Sequence, residues 1–226
     1  MFDIHIMDWA KKRPKKHYNN IHGLRVFELI FCRELEDLGL QLDELNSITL
    51  YCLADPNKDI SYSEMKAFQE VEILLPDDYM LFIELESVEE KYQAFCNIVR
   101  SYVVPVLEKY SSFSLVTTQN YVEEALEEIV SQGYEASFLV AKTPKKSPNR
   151  KLLAMLRGVH RYSGFQLWCE VYNERGLRII NELLVEEVGN EVVYARFLGQ
   201  LKWESNQLIT IKSKTSSWMK EVHIPL

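Results

Sequence analysis

The sequence predicts an α+β protein in which an N-terminal half of mixed helices and short strands packs with a C-terminal antiparallel β-sheet. Two patterns indicate this class. Residues 137–224 alternate apolar and polar side chains through short runs separated by turn residues, which is typical of strands with one buried and one wet face. Residues 24–38 and 88–110 instead repeat apolar residues every three or four positions, which is the spacing of helices.

The length and composition allow a sizeable buried core. The chain has 226 residues, of which 47% are hydrophobic and 12% aromatic. We expect one domain over 1–226, with 1–133 and 134–226 as its sub-units if the chain divides, because residues 133–136 are the best candidate boundary. Apolar runs stay well short of the roughly 20 residues of a membrane-spanning helix, and the N-terminal basic run follows the apolar residues instead of preceding them. The sequence therefore predicts a cytoplasmic protein that does not bind membranes.

The charge is unevenly spread along the chain. There are 26 basic and 33 acidic residues, for a net charge of -7. Ten of the basic residues lie in the acid-free segments 11–16 and 142–151, which leaves 16 against 33, or -17, for the rest. This acidic body, the chain without its two basic segments, repels phosphate backbones and attracts cationic partners, so we expect a protein partner with a basic surface. Nucleic-acid binding through the two basic segments is a third alternative, which would give an affinity that falls steeply with salt, but the net acidity argues against it.

Compact catalytic motifs are missing from the sequence. It contains no GxSxG elbow, and its eight glycines form neither a P-loop nor a dinucleotide fingerprint. We therefore expect no cofactor and no enzymatic activity. The four cysteines are far apart in apolar segments and are predicted to be buried free thiols: Cys32, Cys52, Cys96 and Cys169.

The first elements are a strand over 2–9, a basic loop over 11–16, a helix over 24–38 and a strand over 47–53. Gly39 is the expected stop of the helix, and Glu28 is placed on its solvated face. The following loop alternates oxygen-bearing side chains like a calcium loop: Asp55, Asn57, Asp59 and Ser61. Ile60 and Lys66 occupy the positions that require glycine and glutamate, so no calcium site is predicted.

Two strands, 68–75 and 79–85, are predicted around a turn at 76–78. A capping box at Ser87 then begins a long helix that Pro105 should kink or end. A second helix is predicted over 120–133, with Asn120 as its N-cap.

The C-terminal half reads as a series of strands. They are predicted over 137–141, 152–157, 165–172 and 177–186, with a closing meander over 201–203, 208–212 and 218–224. Residues 191–198 could be a strand or a short helix, and 143–150 form a basic loop with two prolines. Within 165–172, Phe165, Leu167, Cys169 and Val171 point one way, while Gln166, Trp168, Glu170 and Tyr172 point the other.

Two sets of residues are candidates for partner binding. Glu123, Glu124, Glu127 and Glu128 lie on one face of the 120–133 helix, which is either a solvated acidic face or a patch for a cationic partner. Trp168, Glu170 and Tyr172 combine aromatic anchors with an orienting carboxylate, as interface hot spots do, unless helices cover that side of the sheet.

A metal site is the alternative. Asp3, His5 and Asp8 supply two carboxylates and a histidine, which could bind a divalent metal for hydrolysis. Exposed polar residues on an edge strand would give the same pattern. His160 is expected in a strand connection, at the surface rather than as a catalytic base.

The segments 145–151 and 194–203 and the closing meander resemble those of some bacterial immunity proteins, small inhibitors encoded beside secreted or contact-delivered toxins. The resemblance implies a bacterial cytoplasmic protein that binds one cognate toxin and occludes its active site. Many such toxins are nucleases with cationic clefts, which suits an acidic body. The sequence therefore predicts an immunity protein, with a metal-dependent hydrolase as the alternative.

Overall fold

The computed structural model describes residues 2–10, 13–17, 20–140 and 143–225. The chain divides into two compact units, residues 1–136 and 137–226, close to the boundary at 133–136. Helices and strands occur in comparable amounts and the strands of the C-terminal half pair antiparallel, so the predicted α+β class is confirmed. Among the described residues, no helix has the length and apolar character needed to cross a bilayer.

The first unit combines a four-stranded sheet with helices. Its described strands are β1 (Asp3–Asp8), β2 (Ser47–Cys52), β3 (Ser61–Met65) and β4 (Glu70–Leu75). Its described helices are α1 (Arg25–Asp37), α2 (Met80–Ile83), α3 (Val88–Ile98), α4 (Val104–Tyr110) and α5 (Leu115–Ser131). The strand order is β1-β2-β4-β3, in which β1, β2 and β4 run parallel and β3 pairs antiparallel with β4.

Apolar side chains from the sheet and the helices form one core. Ile4, Ile48 and Ile73 come from three neighbouring strands, and Phe27 of α1 and Phe95 of α3 pack in the same cluster, all fully buried. The apolar spacing of α1 therefore predicted its buried face correctly. Gly39 follows the helix with φ of 80°, a conformation that glycine adopts without steric cost.

The long helix forms as its signals predict. The capping box is complete, since Ser87 Oγ accepts from the backbone N–H of Glu90 at 3.1 Å and the Glu90 side chain accepts from that of Ser87. Pro105 lacks the N–H of a regular α-helical bond, and the chain passes through a π-helical turn, Val99–Val103, before continuing as α4. Pro105 thus interrupts the α-helical ladder without ending the helical path.

Three local predictions in this unit are wrong. Residues 79–85 contain helix α2 instead of a strand, because Asp78 Oδ1 accepts from the N–H of Met80 at 2.8 Å and starts a helical turn. Helix α5 begins at Leu115, since Ser114 and not Asn120 accepts a backbone N–H at its start. Strand β3 was not predicted, because all five of its residues are exposed and carry no apolar alternation.

The second unit is built from two sheets. The described strands of the larger sheet are β5 (Ala136–Leu139), β6 (Lys145–Lys146), β7 (Leu152–Arg161), β8 (Gly164–Asn173) and β9 (Arg178–Glu187), in the order β5-β7-β8-β9 with β6 beside β7. Helix α6 (Glu191–Tyr194) follows, and β10 (Gln200–Trp203), β11 (Leu208–Lys212) and β12 (Met219–His223) form an antiparallel meander. Residues 191–197 are therefore helical, the second of the two predicted alternatives.

The two sheets pack through their apolar faces. Phe165, Leu167, Cys169 and Val171 are at most 1% exposed, which confirms the predicted inward row of β8. Ile209 and Ile211 of β11 belong to the same buried cluster. The unit is therefore a two-layer β-sandwich. All four cysteines are buried free thiols, as predicted.

Candidate functional site

The division into two units separates the charges. Residues 1–136 contain 12 basic and 25 acidic residues, a net charge of -13, whereas residues 137–226 contain 14 basic and 8 acidic residues, a net charge of +6. The predicted acidic body is therefore only the first unit. Setting the two basic loops aside obscured this, because the loop over 142–151 alone carries five of the six net positive charges of the second unit. Of those loops, Lys11, Lys12 and Lys142 lie outside the described residues.

Carboxylates of two packed helices converge in the first unit. We name this surface the acidic ridge, and its members are Glu34 and Asp37 of α1 and Glu124, Glu127 and Glu128 of α5. Burial and the neighbouring carboxylates of Glu128 and Asp37 raise the pKa of Glu34. Glu34 therefore lies near carboxylates of both helices.

The predicted acidic row on α5 is only partly available. Glu123 receives two hydrogen bonds from Arg100, at 2.9 and 2.7 Å, and both side chains are about half exposed. Glu128 accepts from Gln132 at 2.7 Å, and Arg33 donates to the same glutamine. Glu124 and Glu127 are exposed. The ridge therefore retains most of the predicted row, while the charge of Glu123 is matched by Arg100.

Glu170 does not present its carboxylate to solvent, in contrast to the predicted orienting charge. It is 2% exposed and accepts from Arg157 Nη2 at 2.7 Å, Arg178 Nη1 at 3.2 Å and the Tyr172 hydroxyl at 2.8 Å. Burial alone would raise the pKa of Glu170, but the bonds from Tyr172 and Arg157 hold it below its ordinary value. The carboxylate is neutralised because Arg157 on β7 and Arg178 on β9, the two strands that flank β8, both bind it.

The register places these groups on one side of the larger sheet. Tyr172 lies opposite Leu153 on β7 and Arg178 on β9, and Leu153 in turn lies opposite Lys146 on β6. Trp168 lies opposite Arg157 and Leu183. We name this surface the cationic face, and its members are Lys146, Arg157, Trp168, Glu170, Tyr172 and Arg178. Trp168 and Tyr172 are each partly exposed, so neither belongs fully to the core.

Asp3, His5 and Asp8 do not come together. Asp3 and His5 share a face of β1 and form a pair at 3.1 Å, whereas strand alternation turns Asp8 to the other face. Arg25 binds Asp3 at 2.9 and 3.0 Å, and Arg13 binds Asp8 at 2.7 and 2.9 Å. Within 2–10, 13–17, 20–140 and 143–225, no three ligating side chains are grouped to hold a metal ion. The geometry gives the metal-dependent hydrolase no support.

Arg25 and Glu28 instead protect the outer edge of the sheet. Glu28 Oε1 accepts from the N–H of Ile6 at 2.8 Å, and Arg25 Nη1 donates to the carbonyl of Ile4 at 2.9 Å. These side chains satisfy backbone groups that the edge strand β1 would otherwise leave open. Glu28 is 2% exposed, so its placement on a solvated helix face was wrong.

Stability should depend on pH through Glu28. Burial raises the pKa of Glu28 from 4.5 to about 7, so between these values the native state holds a proton that the unfolded chain has lost. The free energy of unfolding should therefore fall by about 3 kcal/mol as the pH rises through this window. The pKa of His5, raised by its bond to Asp3, adds stability below 6.5 that is also lost as the pH rises.

Urea unfolding at pH 5 and pH 8 measures this difference. Glu28→Gln cannot titrate and should remove most of the decrease. An equal decrease in the variant would assign the pH dependence to other groups.

His160 was predicted to lie in a surface connection between strands, and this prediction is wrong. The residue lies near the end of β7. It is fully buried, with its ring 5.7 Å from that of Tyr194. Gly189 makes room for it, since a Cβ there would lie 2.6 Å from His160 Nε2. A buried imidazole packed in this way has a structural place in the sandwich.

A depression of about 500 Å³ lies beside the ends of β1 and β2 and is lined by Trp9, Arg13, Asp55 and Lys58, among others. Two of the ionised groups around it have partners close by. Arg13 is held between Asp8 and Asp78, and Asp55 Oδ1 accepts from the N–H of Asn57. This arrangement holds the surrounding loops together.

Comparison of the chain with models of protein families, with curated proteins and with solved structures gave no match.

Proposed function

We propose that the protein is a non-enzymatic immunity protein that acts in the cytoplasm, where it binds a cognate bacterial toxin with a basic surface and occludes its active site. The observation that carries this proposal is the acidic ridge. Five carboxylates from two packed helices gather there, and burial together with the nearby carboxylates of Glu128, Asp37 and Glu124 raises the pKa of Glu34.

A concentration of like charge costs stability, so a ridge of this kind requires a compensating role. A toxin that cleaves nucleic acid needs a cationic cleft to hold phosphates, and an acidic ridge is complementary to such a cleft. Complementary charge steers the two proteins together and raises the association rate, most strongly at low ionic strength. The net charge of -13 on the first unit extends this attraction beyond the contact itself.

Trp168 and Tyr172 were predicted as aromatic anchors of the same interface. They lie in the second unit, on a face whose charge has the opposite sign. The proposed toxin contact therefore relies on Glu34, Asp37, Glu124, Glu127 and Glu128.

Neutralising the ridge should slow toxin binding. The triple variant Glu124→Gln, Glu127→Gln, Glu128→Gln is expected to lower the association rate constant about tenfold or more at low salt, with a smaller change in the dissociation rate. The partner is first captured by the tagged protein in its native cells and purified, and the rates are then measured by surface plasmon resonance.

The matched control removes three carboxylates elsewhere in the same unit, by Glu84→Gln, Glu86→Gln and Glu89→Gln, all at exposed positions. This control should keep most of the association rate. The captured protein must also be toxic when expressed alone and lose its activity at one equivalent of this chain. A harmless partner, or equal rates for the ridge variant and the unchanged protein, would contradict the proposal.

A further inference from the structure

The second unit has the charge of a polyanion-binding module. Its net charge of +6 contrasts with the -13 of the first unit, so the acidity of the whole chain is no argument against an anionic ligand on this unit. A basic surface supplies affinity for phosphate backbones through the release of counterions. Recognition of a nucleic acid also requires a surface that contacts its bases.

The cationic face provides a surface that can contact bases. Trp168 and Tyr172 are four residues apart on the same side of β8, so their Cα atoms lie about 13 Å apart along the strand, far enough for the two side chains to contact separate bases. Arg157 flanks Trp168, and Arg178 flanks Tyr172, through direct cross-strand pairing. Aromatic rings on a sheet surface bind unpaired bases by stacking, and arginines beside them contact phosphates and stack on bases.

Glu170 holds this arrangement in place. Its Oε1 atom accepts from Arg157 Nε at 2.9 Å and from Arg178 Nη1 at 3.2 Å, so one carboxylate orients two guanidinium groups. Two cations share one anion, and a positive charge remains. The side chains of Arg157 and Arg178 are 31% and 45% exposed, so a ligand can reach both. Lys146, exposed on the same face, adds a further cation.

We propose that the cationic face binds single-stranded nucleic acid, with Trp168 and Tyr172 stacking on bases and Lys146, Arg157 and Arg178 contacting phosphates. A single strand is favoured over a duplex because only unpaired bases expose their π-faces to a sheet. This inference is independent of the proposed toxin binding, and its test involves no toxin.

The test is fluorescence anisotropy of a labelled oligothymidylate, about 12 nucleotides long, titrated with the full-length protein. Trp168→Ala should weaken binding about tenfold or more through the loss of stacking on one base. Lys146→Gln should reduce the slope of log K against log salt by about 0.7, the value for one phosphate contact on a single strand. Circular dichroism melting shows whether each variant is folded, and Lys146→Gln changes only an exposed side chain.

The control variant is Lys214→Gln, which removes the same charge from the exposed turn between β11 and β12 and should change binding less than about twofold. Absence of binding at low salt, or a loss in Lys214→Gln equal to that in Lys146→Gln, would overturn the proposal. Displacement of the oligonucleotide by polyglutamate at a similar charge concentration would also overturn it, because it would indicate a site for an acidic protein. Tighter binding of a duplex of the same length would overturn it as well.

Discussion

Replacing Arg25 with methionine is expected to lower the free energy of unfolding by about 3–5 kcal/mol at pH 8, because removal of one partner leaves the buried carboxylate of Glu28 uncompensated. Arg25 is 11% exposed and bonds Asp3, Glu28 and the carbonyl of Ile4. Glu28 has a side-chain exposure of 3%, so water cannot replace the lost guanidinium. The loss should be smaller at pH 5, where Glu28 is mostly protonated in the native state.

The matched control is Arg100→Met. Arg100 also makes a two-bond pair with a glutamate, Glu123, but their side chains are 47% and 50% exposed. Exposed pairs contribute at most about 1 kcal/mol, so the control should stay within that range. Chemical denaturation of both variants measures the comparison. Similar losses in the two variants would show that the edge of β1 does not depend on the buried pair.

Phe165→Ala should destabilise the second unit by about 3–5 kcal/mol, as removal of a large buried ring leaves a cavity. Phe165 is 1% exposed, stacks on Tyr194 with ring centroids 3.9 Å apart, and lies 6.1 Å from the ring of Phe138. It therefore links the five-stranded sheet to helix α6. Hydrogen exchange should show the loss at backbone amides of β7 and β8.

Phe68→Ala is the control for this substitution. Phe68 is 67% exposed, so the same chemical change removes few contacts and should shift stability by at most about 0.5 kcal/mol. If Phe165→Ala cost no more than this control, the stacked rings would not be a major source of stability for the sandwich.

Periodic apolar patterns predicted most of the fold. The inward row of β8 and the buried face of α1 are local patterns whose repeat matches one element, and burial follows from that repeat. Strand β3 and helix α2 were missed for the opposite reason. The residues of β3 are all exposed, and α2 depends on a single cap from Asp78 instead of a repeat.

The candidate surfaces were only half predicted. Glu124, Glu127 and Glu128 follow from helical spacing within α5, but Glu34 and Asp37 join them only because α1 packs beside α5. On β8 the alternation correctly placed Trp168, Glu170 and Tyr172 on one side. It could not show that the carboxylate in the middle of the row is neutralised.

By itself the sequence determined the α+β class, most helices and strands, the buried thiols and the two faces of β8, because these depend on neighbours within a few positions. The tertiary structure alone decided which charges remain unbalanced. Arg25 and Asp3 are 22 residues apart, Arg100 and Glu123 are 23 apart, and Arg157 and Glu170 are 13 apart. A carboxylate can repel neighbouring charges, bind a cationic partner or be neutralised within the fold. The outcome depends on residues far away in the sequence and on how far the carboxylate is excluded from water, and local sequence encodes neither.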